Sequence, residues 1–196
     1  MISFRELTED KGGKNLHLEH LEDEIINYGV DGGRAALNFL RSLRDMMAGA
    51  SRSSVNMTVK WDGAPAIFAG IDPEDSKFFV AKKSVFNVSP KLYKTEAEID
   101  ADLSGVLNAK FKVALKEFSK LGIKGVLQGD LMFTDDVETS TIDGDKYLTF
   151  QPNTIVYAIP DNSELAKTIK KAKVGIVWHT TYTGDTLQGM KASFGA

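Results

Sequence analysis

The sequence contains no cysteine, so it offers neither a disulfide framework nor a cysteine-ligated metal site. It has no run of about 18 apolar residues, the length that a membrane-spanning helix needs. The first residues, MISFRELTEDKGGKNLH, are charged and lack the apolar stretch of a secretory signal. These absences predict a soluble protein that acts in the cytoplasm and has no membrane partner.

The chain also has little net charge, because 24 Lys and Arg side chains stand against 27 Asp and Glu, for a formal charge of -3. This balance excludes a globally basic surface, so nucleic acid would have to bind at a local basic patch. Apolar residues make up 42% of the 196 residues, which is enough for a sizeable core. We expect a single domain over residues 1–196, with residues 1–14 as a loosely held arm.

Hydrophobic periodicity predicts an α+β fold of mainly antiparallel sheets with flanking helices. Helical spacing predicts helices near 17–27 and 33–48, separated by the turn NYGVDGG, and one or two more within 95–121. Ser163 is the predicted cap of a helix in SELAKTIKKAK. Strands are predicted at VNMTVKW, APAIFAGI, KFFVAKKSVF, GIKGVLQGDLMF, both halves of KYLTFQPNTIVYAI, and VGIVWHTTY. Blocks of strands without a βαβ rhythm favour antiparallel pairing.

The segment TVKWDGAPA holds the pattern K-x-D-G, formed by Lys60, Asp62 and Gly63. Alternation in VNMTVKW places Lys60 on the polar side of a half-buried strand. VAKKS follows in a second predicted strand, and LQGDLMF in a third. In this order, the three segments resemble those of the covalent nucleotidyltransferases, the superfamily of DNA ligases, RNA ligases and mRNA capping enzymes. The resemblance implies a ligase-type domain with a nucleotide cleft between two sheets.

In that superfamily, the lysine attacks the α-phosphorus of a nucleoside triphosphate, expels pyrophosphate and carries the nucleotide until a polynucleotide end accepts it. The resemblance therefore implies that Lys60 is the nucleophile, that ATP and Mg²⁺ are the cofactors, and that an RNA or DNA 5′-phosphate accepts AMP. A free lysine has a pKa of about 10.4, so the site must lower that pKa. Partial burial beside Trp61, and neighbouring cations or a metal, would do so.

The resemblance also implies nucleotide contacts. Asp62 would orient the nucleotide or assist the lysine, and Gly63 would let the backbone approach a phosphate or sugar. Lys83, with Lys82 beside it, stands where the family usually has arginine, and lysine keeps the charge but loses the bidentate fork. Asp130 takes the place of a glutamate in the family's Gly-Glu-Leu and would bind a ribose hydroxyl or a magnesium-bound water.

Tyr157 in TIVYAI is the base platform that the resemblance implies, with Phe150 and Trp178 as rivals. The family's late motifs are not assigned, because Val174 stands where a glutamate is usual and the lysines of KKAK precede that strand. Only 136 residues follow Lys60 (196 minus 60), which is short for a complete family domain, so a C-terminal truncation or a minimal variant is expected. KNLHLEHLEDEI, KWDGAPA, QGDLMF, FQPNTIVYA and GIVWHTTYTG also resemble uncharacterised ligase-like proteins of large tailed marine phages, for which the cytoplasm would be the host's.

Simpler interpretations stay open for the same residues. Lys60 can be a solvent-facing lysine before an Asp-Gly turn, Asp130 a strand-end carboxylate, and Lys82 and Lys83 a basic sheet edge. The chain would then be a nucleotide-binding module without catalytic activity, or a phage structural or interaction protein that retains the ligase fold. The oligomeric state does not follow from the sequence.

The histidines favour structural interpretations. His17 and His20 lie at i and i+3 without a third histidine nearby, so a surface or capping role is favoured over a metal site. Their recurrence in the phage-like resemblance leaves a nucleotide contact open. His179 is interpreted as a histidine satisfied within its strand. A helix near 33–48 that carries three arginines is expected to pack rather than to bind nucleic acid. These arginines are Arg34, Arg41 and Arg44.

Overall fold

The computed structural model describes residues 21–49 and 61–194. Three sequence predictions lie wholly or largely outside these ranges: the arm over 1–14, the strand VNMTVKW with Lys60, and the pair His17 and His20. The chain divides into two compact units, Met1–Lys60 and Trp61–Ala196. The single domain over residues 1–196 stays a prediction.

In the first unit, the described residues form helix α1 (Asp23–Met47). Its Gly29 has φ 58° and ψ -132°, so two helical segments meet at this one glycine. The prediction of two helical segments is therefore confirmed. The predicted seven-residue turn NYGVDGG is wrong, because only Gly29 departs from helical geometry and the other residues of the segment are helical. Glycine accepts this left-handed φ without the steric cost that a Cβ would bring.

The three arginines of α1 bind partners on the same helix. Arg34 and Arg44 pair with Asp31 and Asp45 at 3.2 and 2.6 Å, and all four side chains are largely exposed. Arg41 donates to Asn38 at 3.4 Å. Exposed pairs of this kind contribute little stability.

The second unit is built on two antiparallel sheets. The larger sheet has the strand order β3–β2–β1–β4–β8–β9, and the smaller has the order β5–β6–β7. The elements are β1 (Ala66–Ile71), β2 (Phe78–Ala81), β3 (Leu92–Tyr93), α2 (Glu96–Asp102), α3 (Gly105–Phe118), β4 (Val126–Phe133), β5 (Glu138–Ile142), β6 (Asp145–Phe150), β7 (Tyr157–Pro160), α4 (Glu164–Ile169), β8 (Gly175–Thr183) and β9 (Lys191–Phe194). Short 3-10 helices follow β2 (Lys83–Phe86) and β8 (Leu187–Gly189). The predicted α+β class with antiparallel sheets and flanking helices is confirmed.

Both faces of the large sheet are covered, which explains the continuous apolar runs of its central strands. Ile67 and Val80 pack with Phe111 of α3 on one face, called here the helix face. Phe68 and Phe79, which adjoin them in the sequence, pack in a separate cluster on the second face. Neighbouring residues of a strand point to opposite faces, so each strand supplies both cores.

Strand β4 takes part in a further core that also contains the small sheet. Met132 and Phe133, at the end of β4, pack with Leu148 and Phe150 of β6. The two sheets therefore meet at the end of β4, two residues after Asp130.

The structure shortens one predicted strand and adds three strands that the sequence did not predict. KFFVAKKSVF is a strand only to Ala81, because the 3-10 helix that follows turns Val85 into the core of the second face. The sequence also predicts no strand at β3, β5 or β9. The turn into β6 passes through Asp143 and Gly144 with φ of 51° and 90°, the conformation that an Asp-Gly hairpin favours.

The cap prediction at Ser163 is confirmed, because its Oγ accepts a hydrogen bond from the Ala166 N–H at 3.1 Å. Thr95 caps α2 in the same way, in a reciprocal capping box with Glu98. No helix in the described part of the chain is both long and apolar enough to cross a bilayer.

Candidate functional site

The residues after Lys60 run alongside β4 and lead directly into β1. The Ala64 N–H donates to the Leu131 carbonyl at 2.9 Å, and the Leu131 N–H donates to the Pro65 carbonyl at 3.1 Å. The ladder then continues with Ala66 opposite Asp130. The structure therefore brings the W-D-G-A-P segment against the G-D-L segment, although they lie far apart in the sequence.

Gly63 lies so close to β4 that no side chain fits there. A Cβ at this position would lie 2.8 Å from both the Asp130 Cβ and the Leu131 carbonyl oxygen. Real Cβ atoms do not approach backbone this closely, so glycine is required by packing. The predicted contact of Gly63 with a phosphate or sugar stays a prediction.

Asp62 is held by the small sheet. Its N–H donates to the Tyr157 hydroxyl oxygen at 2.8 Å, and its carboxylate accepts a hydrogen bond from Asn153 Nδ2 at 3.2 Å. Asn153 lies in the loop between β6 and β7. No sequence signal pointed to Asn153 as a site residue, since the Pro-Asn pair there indicates only a break between two strands.

The Tyr157 ring contacts two other rings. It stacks on Phe150 with a centroid distance of 5.4 Å and an interplanar angle of 16°, and Trp61 lies 5.4 Å away at 31°. Phe150 in turn packs on Phe133 at 5.0 Å. Two of the rings predicted for base stacking, Tyr157 and Phe150, thus stack on each other, and the platform role of Tyr157 stays a prediction.

Trp178, the other predicted rival, lies on the helix face. Its ring meets Phe118 of α3 edge-on at 5.1 Å. A Cβ on Gly129 would come within 2.7 Å of its ring. Packing against α3 is therefore the role that the structure gives this tryptophan.

Asp130 lies beside a histidine that the sequence did not connect with it. Strand β8 shifts register here, since Gln128 pairs with Thr180 and Gly129 with Trp178, which leaves His179 as the extra residue of a bulge. His179 Nε2 is 3.8 Å from Asp130 Oδ1, and its Nδ1 is 2.8 Å from the Thr180 hydroxyl. His179 is thus a half-buried strand residue with partners, next to the predicted acid.

Lys82 and Lys83 diverge at the end of β2. Lys82 follows Val80 on the helix face, where its Nζ pairs with Asp102 of α2 at 3.1 Å. Asp130 points to the second face, which it shares with Gln128. Lys83 is exposed and begins the 3-10 helix. The structure therefore does not join Lys82 to Asp62, Gly63 and Asp130.

Asp102 is the centre of a polar cluster that fixes Lys82. Its carboxylate also accepts from Lys91 Nζ at 2.5 Å and from the Tyr93 hydroxyl at 2.6 Å. These three donors, with Lys91 contributing most, hold the pKa of Asp102 well below its usual range. Burial, together with the Asp102 carboxylate, raises the pKa of Tyr93, so its hydroxyl stays a donor at neutral pH.

Asp102→Asn should destabilise the protein at neutral pH, and the difference should shrink in acid. Because the folded pKa of Asp102 is depressed, its stabilisation is complete above the unfolded pKa of about 3.9 and is lost as the pH falls through the folded value. Denaturant unfolding of both proteins from pH 7 to pH 2 measures this, and the difference should begin to shrink below about pH 4. Tyr93→Phe, which removes one donor, should cost about 1 kcal/mol at pH 7. A difference that stays constant across this pH range would contradict the role of the charge.

An open groove of about 710 Å³ lies elsewhere in the second unit, lined by Lys77, Phe78, Lys94 and Lys116 among others. Lys94 is bound there by the carboxylates of Asp72 and Asp75 at 2.6 and 2.9 Å. Because these two carboxylates neutralise the charge of Lys94, the groove is a poor match for a triphosphate.

Within residues 21–49 and 61–194, no group of three or more His, Asp or Glu side chains is placed to hold a metal ion. Mg²⁺ commonly binds through phosphates and water with only one or two carboxylates. The magnesium contact of Asp130 needs only its own carboxylate and stays a prediction.

The comparisons with known proteins show a family but no function. A family model described as "Family of unknown function (DUF6267)" matches residues 15–196, nearly the whole chain. Neither a curated protein nor a solved structure matches the chain. An inference of function has to come from the residues of the site.

Proposed function

The chain belongs to the DUF6267 family, whose function is unknown, and we propose that it is an ATP-dependent, ligase-like nucleotidyltransferase. Lys60 would accept AMP from ATP and pass it to the 5′-phosphate of RNA or DNA. The observation that supports this most is the close approach of Gly63 to Asp130, because a Cβ added at Gly63 would lie only 2.8 Å from the Asp130 Cβ. Two segments chosen for their resemblance to ligase motifs thus lie side by side.

The first step replaces one bond to phosphorus with another. The uncharged Nζ of Lys60 bonds to the α-phosphorus of ATP, and the bond from that phosphorus to the bridging oxygen breaks. Pyrophosphate leaves with the electron pair, and the lysine nitrogen loses a proton. An amine with the ordinary pKa of about 10.4 is almost fully protonated at pH 7, so the reaction requires a site that lowers this pKa.

The second step returns the lysine to its starting state. An oxygen of the acceptor 5′-phosphate bonds to the same phosphorus, and the bond to Lys60 breaks as the lysine nitrogen keeps the electron pair and takes up a proton. The nucleic acid end then carries AMP. Attack by a neighbouring hydroxyl could then join two ends and release AMP. Magnesium, when bound, would neutralise phosphate charge, and Asp130 is the residue that would hold it.

The remaining residues would position the reacting segment. Asp62 is bound from two sides, by the Tyr157 hydroxyl and by Asn153. Since small displacements of reacting groups cost large factors in rate, this anchoring would matter for Lys60, two residues before Asp62. Lys83 would contact a phosphate, and Lys82 could do so only after leaving Asp102.

Mass spectrometry of the intact protein tests the proposal. After incubation with each nucleoside triphosphate and magnesium, we expect a gain of one nucleoside monophosphate, and ATP to be the donor. Thermal stabilisation by nucleotide without a mass change would instead favour a binding module without chemistry. If nucleotide causes neither a mass gain nor thermal stabilisation, and a protein partner is captured instead, a structural or interaction role would be favoured.

Tyr157→Phe should slow the covalent step while leaving the ring stack in place. The change removes the hydroxyl that accepts the Asp62 N–H at 2.8 Å and donates to the Asp62 carbonyl oxygen at 3.5 Å. The shorter bond alone is worth about 1 kcal/mol, or roughly fivefold in rate. The rate of adduct formation under single-turnover conditions is the measurement. Tyr147→Phe, at a half-buried tyrosine of the same small sheet, is the matched control. Equal rates for both variants would show that the Tyr157 hydroxyl has no positioning role.

A further inference from the structure

Trp61 is a large aromatic residue that the fold leaves partly open. Its exposed fraction is 38%, and it immediately precedes Asp62. The other tryptophan, Trp178, packs on Phe118 beneath α3. A tryptophan that is supported by protein and also open to solvent can offer a flat apolar surface to a ligand.

The support under Trp61 is a series of aromatic rings. Trp61 packs on Tyr157 at 5.4 Å, Tyr157 stacks on Phe150 at 5.4 Å, and Phe150 packs on Phe133 at 5.0 Å. Phe150 and Phe133 belong to the buried core, at 6% exposure each. The series therefore runs from the core to an exposed end, and the exposed end is Trp61. Because its underlying rings are fixed, binding there would cost little additional side-chain entropy.

We propose that Trp61 is the base-stacking residue of this site and takes an unpaired nucleobase. A nucleobase is a flat ring system, and stacking on an aromatic side chain works for every base, since each has a π-face. The base would belong to the nucleotide or to the end of a single-stranded acceptor. This inference rests on the proposed function, in which both the nucleotide and the acceptor end bind at residues 60–63.

The same geometry explains why Tyr157 is less suited to this task. Its ring already meets Phe150 and Trp61, and its hydroxyl accepts the Asp62 N–H. A base on Tyr157 would have to compete with Trp61 for that surface. A base on Trp61 would extend the series by one ring and displace none of the described contacts.

Tryptophan fluorescence and calorimetry of the full chain test the inference, with Lys60→Ala as the background so that no covalent step follows binding. The probes are ATP, a single-stranded hexanucleotide without a 5′-phosphate, and inorganic triphosphate, which has no base. We expect ATP, the hexanucleotide or both to quench the fluorescence of Trp61. The probe that quenches it identifies the source of the base. Trp61→Leu should weaken binding of the quenching probe about 5- to 150-fold, Trp61→Phe should weaken it less, and triphosphate affinity should be unchanged.

Three outcomes would overturn the inference: no quenching by either base-containing probe, equal quenching by inorganic triphosphate, or unchanged affinity in Trp61→Leu. Melting temperatures of the variants show whether they fold, and Trp178 provides an internal fluorescence reference. Failure of the proposed function is a separate result, because it appears as a missing mass adduct in the natural chain and does not affect the quenching.

Discussion

Lys60→Ala should abolish the covalent nucleotide adduct completely. In the proposed reaction, the lysine nitrogen is the only atom of the protein that bonds to phosphorus, and alanine has no nucleophile to replace it. Reversible nucleotide binding should remain, because the other proposed contacts are intact. Intact-mass measurement of the adduct, with thermal shift by nucleotide in parallel, separates loss of chemistry from loss of binding.

Two further variants make this test specific. Lys60→Arg keeps a positive charge, but its guanidinium does not lose its proton at neutral pH, so it should also give no adduct. Lys171→Ala removes an exposed lysine on the segment after α4 and should label like the natural chain. An adduct of undiminished yield in Lys60→Ala would refute the assignment of the nucleophile.

Gly63→Ala should impair both folding stability and the covalent step. The new Cβ would lie 2.8 Å from the Asp130 Cβ, 2.8 Å from the Leu131 carbonyl oxygen and 3.0 Å from the Asp130 carbonyl carbon. Rotation of a side chain cannot relieve contacts with backbone, so the segment or β4 must shift, at a cost of about 1–3 kcal/mol. A displacement of about 1 Å can cost on the order of 100-fold in rate.

Denaturant unfolding and the rate of adduct formation measure these two effects. Gly33→Ala, on helix α1, is the control, because among the described residues a Cβ there would meet Ile25 alone, at an ordinary 3.9 Å. It should leave the labelling rate unchanged and leave stability equal or slightly higher. Normal stability and normal labelling of Gly63→Ala would show that the close approach to Asp130 has no consequence.

Local sequence signals were sufficient to predict helix caps and strand breaks, because the residues of one short segment decide these features. Ser163 begins α4 because its hydroxyl accepts the Ala166 N–H, and the order of residues alone indicates such a cap. Pro152 separates β6 from β7 as expected. β5 was missed because its five residues are mostly exposed and polar, so they carry no hydrophobic alternation, and the Asp-Gly turn was its main signal.

The site was predictable in part, through the order of segments that resemble ligase motifs. That resemblance suggested that Asp62, Gly63 and Asp130 belong together, and the structure brings Gly63 against Asp130. His179 was not predictable, because the bulge that places it beside Asp130 depends on how β8 pairs with β4. Sequence spacing does not reveal such a register shift.

By itself, the sequence determined the α+β class, the alternation of the apolar strands and the K-x-D-G pattern, because covalent neighbours decide these properties. Only the tertiary structure decided which residues meet across strands. It paired Lys82 with Asp102 on one face and aimed Asp130 at the other. It also placed Tyr157 between the sheet core and Asp62. These contacts depend on long-range strand pairing and on which face a side chain occupies, and a one-residue change in register would reverse them.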